Sequence, residues 1–250
     1  LELLRFACTG KTKTFDFISS SSVGYSAAGP RQVDERTDMM PYIDGIHLGY
    51  AQTKCVAESL VRQAGLRGLS TRIYRPALIS GDSRTGRSNG DDFLSRFIRG
   101  CIAMGSAPEL DWLLDCCPVD FAAESIVRLS RSSASHSVFH LINPTRRHWH
   151  ECILWINLFG YGVRLLPYSE WLSELRQSAQ VPNHPLRELA PFFCRSIPGD
   201  PAVYLPELYE ETRKASLETV QSERALQEVQ ASCPPLNAQL LDRYFESFVD

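Results

Sequence analysis

A tyrosine and a lysine four positions apart are the residues of this chain best suited to acid–base chemistry. Tyr50 and Lys54 lie in the run GYAQTK, residues 49–54, within a segment predicted to be helical. At this spacing both side chains project from one helical face, one turn apart. An ammonium beside a phenol favours the phenolate, so the phenol can exchange a proton with a carbonyl or alcohol oxygen. Taken alone, the pair also fits a surface tyrosine and a solvated lysine.

Two predicted strands flank this helix and must position its side chains. Residues 15–23, FDFISSSSV, begin as an apolar strand and end in four serines, whose hydroxyls could hydrogen-bond the same substrate oxygen. Residues 69–81, LSTRIYRPALISG, predict a second strand that Pro76 interrupts. The order strand, helix, strand predicts half of a doubly wound α/β sheet, in which ligands bind beyond the carboxyl ends of the strands.

Three segments carry a resemblance to a known family. They are GYAQTK at residues 49–54, IYRPALISGDSRTG at 73–86 and CPVDF at 117–121. Together they resemble the extended short-chain dehydrogenase/reductases. More narrowly, they resemble the thioester reductase domains that terminate nonribosomal peptide and polyketide assembly lines, with relatives in carboxylic acid and aminoadipate reductases. The first segment is shared by the whole superfamily, whereas the second and third point to the thioester reductase branch.

The resemblance implies a role for each matching position. Tyr50 would protonate the oxygen of a thioester or aldehyde carbonyl, and Lys54 would favour its phenolate and bind the nicotinamide ribose. Ser20 would hydrogen-bond the carbonyl oxygen, with Ser21 as the alternative because the run of serines leaves the register open. The nicotinamide side of the cofactor would be lined by the backbone of four consecutive residues: Pro76, Ala77, Leu78 and Ile79.

The resemblance also implies a cofactor, a partner and a domain organisation. The cofactor would be NADPH, and the partner a phosphopantetheinyl carrier protein that bears an acyl or peptidyl thioester. Residues 1–145 would form the C-terminal part of a Rossmann-like NAD(P)-binding domain, and residues 146–250 a mostly helical substrate-binding lobe. The acyl substrate, the choice between two- and four-electron reduction, and the choice of NADPH over NADH are not readable from the residues.

The chain departs from the family pattern mainly because it lacks the glycine-rich phosphate-binding turn. No GxGxxG or close variant occurs in the 250 residues. We therefore expect an N-terminally truncated piece of a reductase that binds NADPH weakly or not at all, an expectation that micromolar affinity would refute. Two alternatives to thioester reduction stay open: another extended reductase-type enzyme, such as a nucleotide-sugar epimerase or dehydratase, and a non-catalytic remnant or interaction module.

Composition excludes several other classes of function. A net charge of −3 gives no reason to expect nucleic acid or an anionic membrane as a partner. No apolar run approaches the roughly 20 residues of a membrane span. The eight cysteines include no CxxC pair, so neither a metal site nor a redox dithiol is expected, and reduced cysteines predict a cytoplasmic protein. Cys55, beside Lys54, is either a reactive thiol or, more often, a small core residue.

Apolar periodicity predicts the remaining elements. The predicted helices cover residues 93–102, 120–129, 149–159, 207–230 and 236–249. Residues 105–108, GSAP, predict a turn, and short strands are predicted at 137–144 and 163–167.

Overall fold

The computed structural model describes residues 1–132 and 137–249 of the chain. Its helices are α1 (Glu2–Cys8), α2 (Gly49–Leu66), α3 (Phe93–Met104), α4 (Val119–Ser130), α5 (Trp149–Phe159), α6 (Tyr168–Ser178), α7 (Ala190–Cys194), α8 (Val220–Glu228) and α9 (Ala238–Val249). Its strands are β1 (Phe15–Ile18), β2 (Gln32–Val33), β3 (Thr71–Pro76), β4 (Ile79–Ser80), β5 (Ser106–Pro108), β6 (Leu113–Leu114), β7 (Cys117–Pro118), β8 (Val138–Leu141), β9 (Arg147–His148), β10 (Arg164–Leu166), β11 (Ser196–Ile197), β12 (Asp200–Tyr204) and β13 (Ser216–Leu217). Short 3₁₀ turns cover Ser21–Gly24, Met40–Gly45 and Leu205–Tyr209.

The chain forms two compact units, each assembled from separate stretches of sequence. The first contains residues 1–77, 121–142 and 214–233, and the second contains residues 78–120, 143–213 and 234–250. The domain limits expected from the sequence, 1–145 and 146–250, stay a prediction.

A parallel sheet organises the first unit. As far as the described residues show it, the sheet has three strands in the order β1-β3-β8. Ile73 of β3 lies opposite Val138 of β8, and both side chains are buried. Tyr74 and Phe139, the next pair in register, stack with their ring centroids 5.4 Å apart. The predicted α/β class with a parallel sheet is confirmed, and the carboxyl ends of its strands share one edge.

Helix α2 follows β1 in the chain and packs against β3. Its buried residues recur at helical spacing and are Ala51, Cys55, Glu58 and Val61. Beyond the helix, Gly68 adopts a φ of +98°, a left-handed conformation that favours glycine and stops the helix before β3. The predicted helix around Tyr50 and Lys54 is therefore present.

The segment between β1 and α2 is irregular but tightly packed. Its core of buried apolar side chains includes Val23, Val33 and Met39, together with Ala51 of α2. A Cβ on Gly45 would lie 2.4 Å from the backbone nitrogen of Ala28, so only glycine fits at that position. The parallel pairing of β2 with β13 holds the segment in place.

The second unit is built around stacked aromatic side chains. Phe97 of α3 lies 4.7 Å from Trp149 of α5 and 5.0 Å from Phe193 of α7, measured between ring centroids. Asp92 caps α3 by accepting the backbone N–H of Ser95 at 2.7 Å, as expected for a carboxylate at a helix N-terminus.

Two predictions of local structure were wrong. Residues 106–108 form strand β5, which pairs in parallel with β10, where the sequence predicted a turn. Residues 207–230 do not form one helix; they include a 3₁₀ turn, strand β13 and the shorter helix α8. In both places the structure depends on pairing with a distant strand, which overrides local helix or turn propensity.

Candidate active site

Lys54 links helix α2 to the carboxyl end of strand β1. Its Nζ donates a hydrogen bond of 2.8 Å to the carbonyl oxygen of Ile18, the last residue of β1. The same Nζ lies 5.3 Å from the ring centroid of Phe17 and 5.8 Å from that of Tyr50. The cation therefore lies near both the strand end and the phenol, at the edge where sheets of this kind bind ligands.

Tyr50 is the second residue of α2, and its side chain is accessible. Its relative exposure is 53%, whereas Ala51 and Cys55 on the same helix are buried. Within the part of the chain that the structure describes, the Tyr50 hydroxyl has no hydrogen-bond partner. This phenol is therefore free to hydrogen-bond a substrate oxygen.

The run of serines follows β1 directly, and its residues differ in burial. Ser19 and Ser21 are buried, whereas Ser20 and Ser22 are half-buried. Ser20 caps the 3₁₀ turn Ser21–Gly24: its Oγ accepts the backbone N–H of Ser22 at 3.2 Å and lies 2.8 Å from the Ser22 Oγ. This turn packs against α2. Of the two predicted candidates, Ser20 is the less buried residue.

The four residues expected to line the cofactor already use some of their backbone N–H and carbonyl groups in hydrogen bonds with neighbouring strands. Pro76 ends β3 opposite Leu141, and the N–H of Ala77 donates to the carbonyl oxygen of Leu141 at 2.9 Å. The carbonyl oxygen of Leu78 accepts the N–H of Cys117 at 2.8 Å, and Ile79 pairs with Cys117 in strand register. Pro76 and Ala77 belong to the first unit, and Leu78 and Ile79 to the second. Their part in binding a cofactor stays a prediction.

Two of the sequence motifs meet within the second unit. Strand β4 pairs in parallel with β7, which brings residues 79–80 beside 117–118. The backbone N–H of Ser83 donates to Asp120 Oδ1 at 2.9 Å, and the Ser83 hydroxyl donates to Asp120 Oδ2 at 2.7 Å. The loop at residues 82–86 and the CPVDF segment are thus one structural feature.

A buried ion pair behind α2 was not assigned from the sequence. Arg75 of β3 is fully buried, and its Nε and Nη2 donate to both carboxylate oxygens of Glu58, the shortest of these bonds being 2.6 Å. Its Nη1 lies 3.2 Å from Nε2 of His140. Burial, followed by the charge of Arg75, lowers the pKa of His140 to about 4, so this imidazole is neutral near pH 7.

A sequence signal for this pair did exist. Arg75 falls in the otherwise apolar run at residues 73–79, IYRPALI, and a charged residue inside a buried strand requires a partner of opposite charge. The identity of that partner was not readable, because Glu58 is 17 residues away and faces β3 only once α2 has packed.

The structure does not support a reactive thiol at Cys55. Burial, followed by the charge of Glu58, raises the pKa of Cys55 to about 11, so its thiol stays protonated and serves as core packing. Across residues 1–132 and 137–249, no group of three or more His, Cys, Asp or Glu side chains could hold a metal ion. Over the same residues, no helix combines the length and the apolar character that crossing a membrane requires.

Comparisons with known proteins give consistent results. The family model described as male sterility protein, an NAD-binding domain, matches residues 1–126. The chain is 34% identical over 197 residues to the L-2-aminoadipate reductase large subunit of Eremothecium gossypii, covering 73% of this chain and 14% of the relative. It is 36% identical over 192 residues to a linear gramicidin synthase of Brevibacillus parabrevis, covering 76% of this chain and 4% of the relative.

A solved structure matches nearly all of the chain. The terminal R domain from the myxalamid PKS-NRPS biosynthetic pathway is 35% identical and matches with a TM-score of 0.85, covering 99% of this chain and 60% of that domain. The chain therefore spans a minor part of these curated relatives and about three fifths of the solved domain. The residues matched by the family model include Ser20, Tyr50 and Lys54.

Proposed function

Because the chain belongs to the male sterility protein family of NAD-binding domains, we propose that it supplies the proton-delivery part of a thioester reductase. The reaction is the reduction of an acyl or peptidyl thioester, held on the phosphopantetheine arm of a carrier protein, to an aldehyde. The similarity to the R domain of an assembly line and to an aminoadipate reductase supports this reaction class.

The single observation that carries the proposal is the position of the Lys54 ammonium. It lies 2.8 Å from the Ile18 carbonyl oxygen at the end of β1 and 5.8 Å from the ring centroid of Tyr50. A cation at this place stabilises the negative charge that develops on a substrate oxygen and on the phenol while the proton is transferred.

The residues present suit the nicotinamide end of a dinucleotide. The Lys54 ammonium is a hydrogen-bond donor of the kind that ribose hydroxyls accept, and it is accessible beside the exposed Tyr50. The Pro76–Ile79 backbone would lie along the nicotinamide. When bound, NADPH supplies the hydride. The preference for NADPH over NADH rests on the family resemblance.

Each side chain has a separate part in the proton chemistry. As negative charge develops on the thioester carbonyl oxygen, the Tyr50 hydroxyl donates its proton to that oxygen. The Ser20 hydroxyl donates a hydrogen bond to the same oxygen and stabilises the charge before the proton arrives. Lys54 stabilises the phenolate that remains on Tyr50. The hydroxyl of the resulting hemithioacetal returns its proton to the Tyr50 phenolate as the carbon–sulfur bond breaks, and the carbonyl re-forms as an aldehyde. The sulfur leaves as the pantetheine thiolate and takes up a proton from solvent.

The proposed partner is a phosphopantetheinyl carrier protein or domain. The solved R domain belongs to a PKS-NRPS pathway, and the linear gramicidin synthase is also a biosynthetic synthase by name, which supports a carrier-bound substrate. A cytoplasmic location is proposed with it.

The proposal is tested with the whole protein that carries this chain, supplied with NADPH and an acyl-pantetheine thioester. We expect aldehyde and free thiol to form together, and we expect nucleotide sugars to be left unchanged. Turnover of a nucleotide sugar without any thioester reduction would favour the epimerase or dehydratase alternative. Turnover of neither substrate would favour the non-catalytic alternative.

A further inference from the structure

One stripe of helix α2 carries three residues of increasing burial. Tyr50, Lys54 and Glu58 follow one another at four-residue spacing, so each lies about one turn beyond the last. Tyr50 is 53% exposed, Lys54 is half-buried and Glu58 is 3% exposed. The proposed catalytic groups and the buried carboxylate therefore belong to one face of one rigid helix.

The contact between Glu58 and Arg75 has little freedom. Arg75 Nε donates to Glu58 Oε1 at 2.9 Å and to Oε2 at 3.2 Å, and Arg75 Nη2 donates to Oε2 at 2.6 Å. This planar fork requires the carboxylate to lie in the plane of the guanidinium, so it fixes direction as well as distance. Arg75 belongs to β3, the central strand of the described sheet. The contact therefore fixes the position of helix α2 relative to the sheet.

His140 holds the other side of the guanidinium. Since Arg75 Nη1 can only donate, His140 Nε2 at 3.2 Å must accept, and its proton resides on Nδ1. That Nδ1 donates to the carbonyl oxygen of Glu218 at 2.7 Å. The second donor on Arg75 Nη2 reaches the Thr37 carbonyl oxygen at 3.4 Å. All three guanidinium nitrogens make hydrogen bonds. These bonds hold Arg75 in place, so its side chain cannot move with α2 if the helix shifts.

A buried ion pair is a poor source of stability. Removing two charges from water is costly, and apolar side chains of similar volume often give an equally stable core. What the pair does provide is geometry: moving α2 by one residue would shift Glu58 about 1.5 Å along the axis and rotate it by about 100°. Either movement would leave a charged group buried without its partner.

We propose that Glu58 and Arg75 are positioning residues that set the rotation and axial position of α2. They thereby hold the Lys54 ammonium at the Ile18 carbonyl oxygen and direct Tyr50 toward the end of β1. Neither residue touches the substrate. This inference rests on the proposed function, because the effect on catalysis acts through Lys54 and Tyr50.

The test replaces the ion pair with apolar side chains in the whole protein. In the double variant Glu58→Met/Arg75→Met, no buried charge is left unpaired at this contact, so we expect the fold to be retained. The melting temperature should fall modestly, because the buried Nε2 of His140 loses the donor that Arg75 supplies. We expect kcat to fall about 10- to 100-fold with KM nearly unchanged, since small misplacements of catalytic groups have effects of this size. The single variant Glu58→Gln retains an acceptor of the same shape and should lose less activity.

Glu35 offers a matched control within the same unit. Its buried carboxylate accepts the backbone N–H of Ser222 at 2.9 Å and the Ser222 hydroxyl at 2.7 Å, at the N-terminus of α8. The variant Glu35→Gln alters a buried acid of equal burial that does not lie on α2. We expect this variant to have a lower melting temperature and unchanged kcat.

A crystal structure of the double variant separates failure of this inference from failure of the proposed function. We expect Lys54 Nζ to have moved away from the Ile18 carbonyl oxygen, a result that requires no assay. An unmoved Lys54, or a kcat within twofold of wild type in a folded double variant, would overturn the positioning role. Absence of thioester reduction by the wild-type protein would instead count against the proposed function. If the double variant does not fold, both readouts are taken on Glu58→Gln, where an unmoved Lys54 with unchanged kcat would overturn the inference.

Discussion

The Lys54 ammonium donates a hydrogen bond to the carbonyl oxygen of Ile18 at 2.8 Å, so a side chain of helix α2 contacts the last residue of strand β1. This contact brings a positive charge to the edge of the sheet where the serine run begins. It gives Lys54 a fixed position while leaving the Tyr50 phenol exposed. The acid–base chemistry proposed for this chain depends on that relationship.

Replacing Lys54 with glutamine should lower kcat/KM about 100-fold, because the charge that stabilises the oxyanion and the phenol during proton transfer is removed. The melting temperature should change little, since the ammonium is only half-buried. Steady-state kinetics of thioester reduction measure the first effect, and thermal unfolding measures the second.

Lys13 is a matched control for this variant. It also donates to backbone carbonyl oxygens, those of Phe6, Thr9 and Lys11, and its Nζ lies 4.7 Å from the Phe6 ring centroid. Lys13→Gln should leave kcat/KM unchanged. Equal losses in the two variants would show that any lysine-to-carbonyl contact matters and that Lys54 has no special role.

Changing the serines one at a time should identify the oxyanion donor. Ser20→Ala should lower kcat about 10- to 100-fold, because one hydrogen bond to the developing oxyanion is lost. Ser21→Ala, at a buried residue, should lower kcat less than Ser20→Ala does. The reverse order of effects on kcat would assign the role to Ser21.

His140 should make stability depend on pH. Its pKa is lowered by burial and by Arg75 from 6.5 to about 4, so between these values the unfolded chain binds a proton that the folded chain does not. The folded state should therefore lose up to about 3 kcal/mol as pH falls from 6.5 toward 4, since each pKa unit corresponds to about 1.4 kcal/mol. Denaturant unfolding at a series of pH values measures the loss.

The variant His140→Gln isolates this contribution. A glutamine side chain can still accept from Arg75 and donate to the Glu218 carbonyl oxygen, but it does not titrate. Its stability should vary less than that of the wild type over this pH range. Identical slopes for the two proteins would contradict a depressed pKa at His140.

Two glycines with left-handed backbone should respond differently to alanine. Gly86 has a φ of +72°, and a Cβ there would lie 2.1 Å from the Arg243 carbonyl oxygen. Gly105 has a φ of +66°, with its nearest neighbour 3.7 Å away. Gly105→Ala should cost about 1–2 kcal/mol from its backbone conformation alone. Gly86→Ala should cost several kcal/mol, because the C-terminal helix α9 must also move. Equal shifts in the unfolding midpoint would contradict the close approach of α9 to this loop.

Local patterns were sufficient to predict much of the fold. The apolar run before the serines forms β1, and Tyr50 and Lys54 lie on helix α2 as their four-residue spacing predicted. The helix predicted at residues 93–102 is present as α3, and its Asp92 cap depends on neighbouring residues alone.

Features that depend on distant residues were not predicted. Strand β13 has two residues and exists only through its pairing with β2, so the helical periodicity of residues 207–230 was misleading. The pairing of Arg75 with Glu58 and His140 requires β3, α2 and β8 to be assembled first. The roles of Ser20, Tyr50, Lys54 and the Pro76–Ile79 segment stay predictions, since the structure gives their positions without a substrate.

The most direct test of the central claim is single-turnover reduction of an acyl-pantetheine thioester by the whole protein and by its Tyr50→Phe variant. With saturating NADPH, the wild type should form one aldehyde and one thiol for each NADPH consumed. Tyr50→Phe should bind the thioester equally well but react about 100- to 10,000-fold more slowly, because the general acid is lost. A variant that keeps the wild-type rate would contradict the account, since Tyr50 would then not be the proton donor.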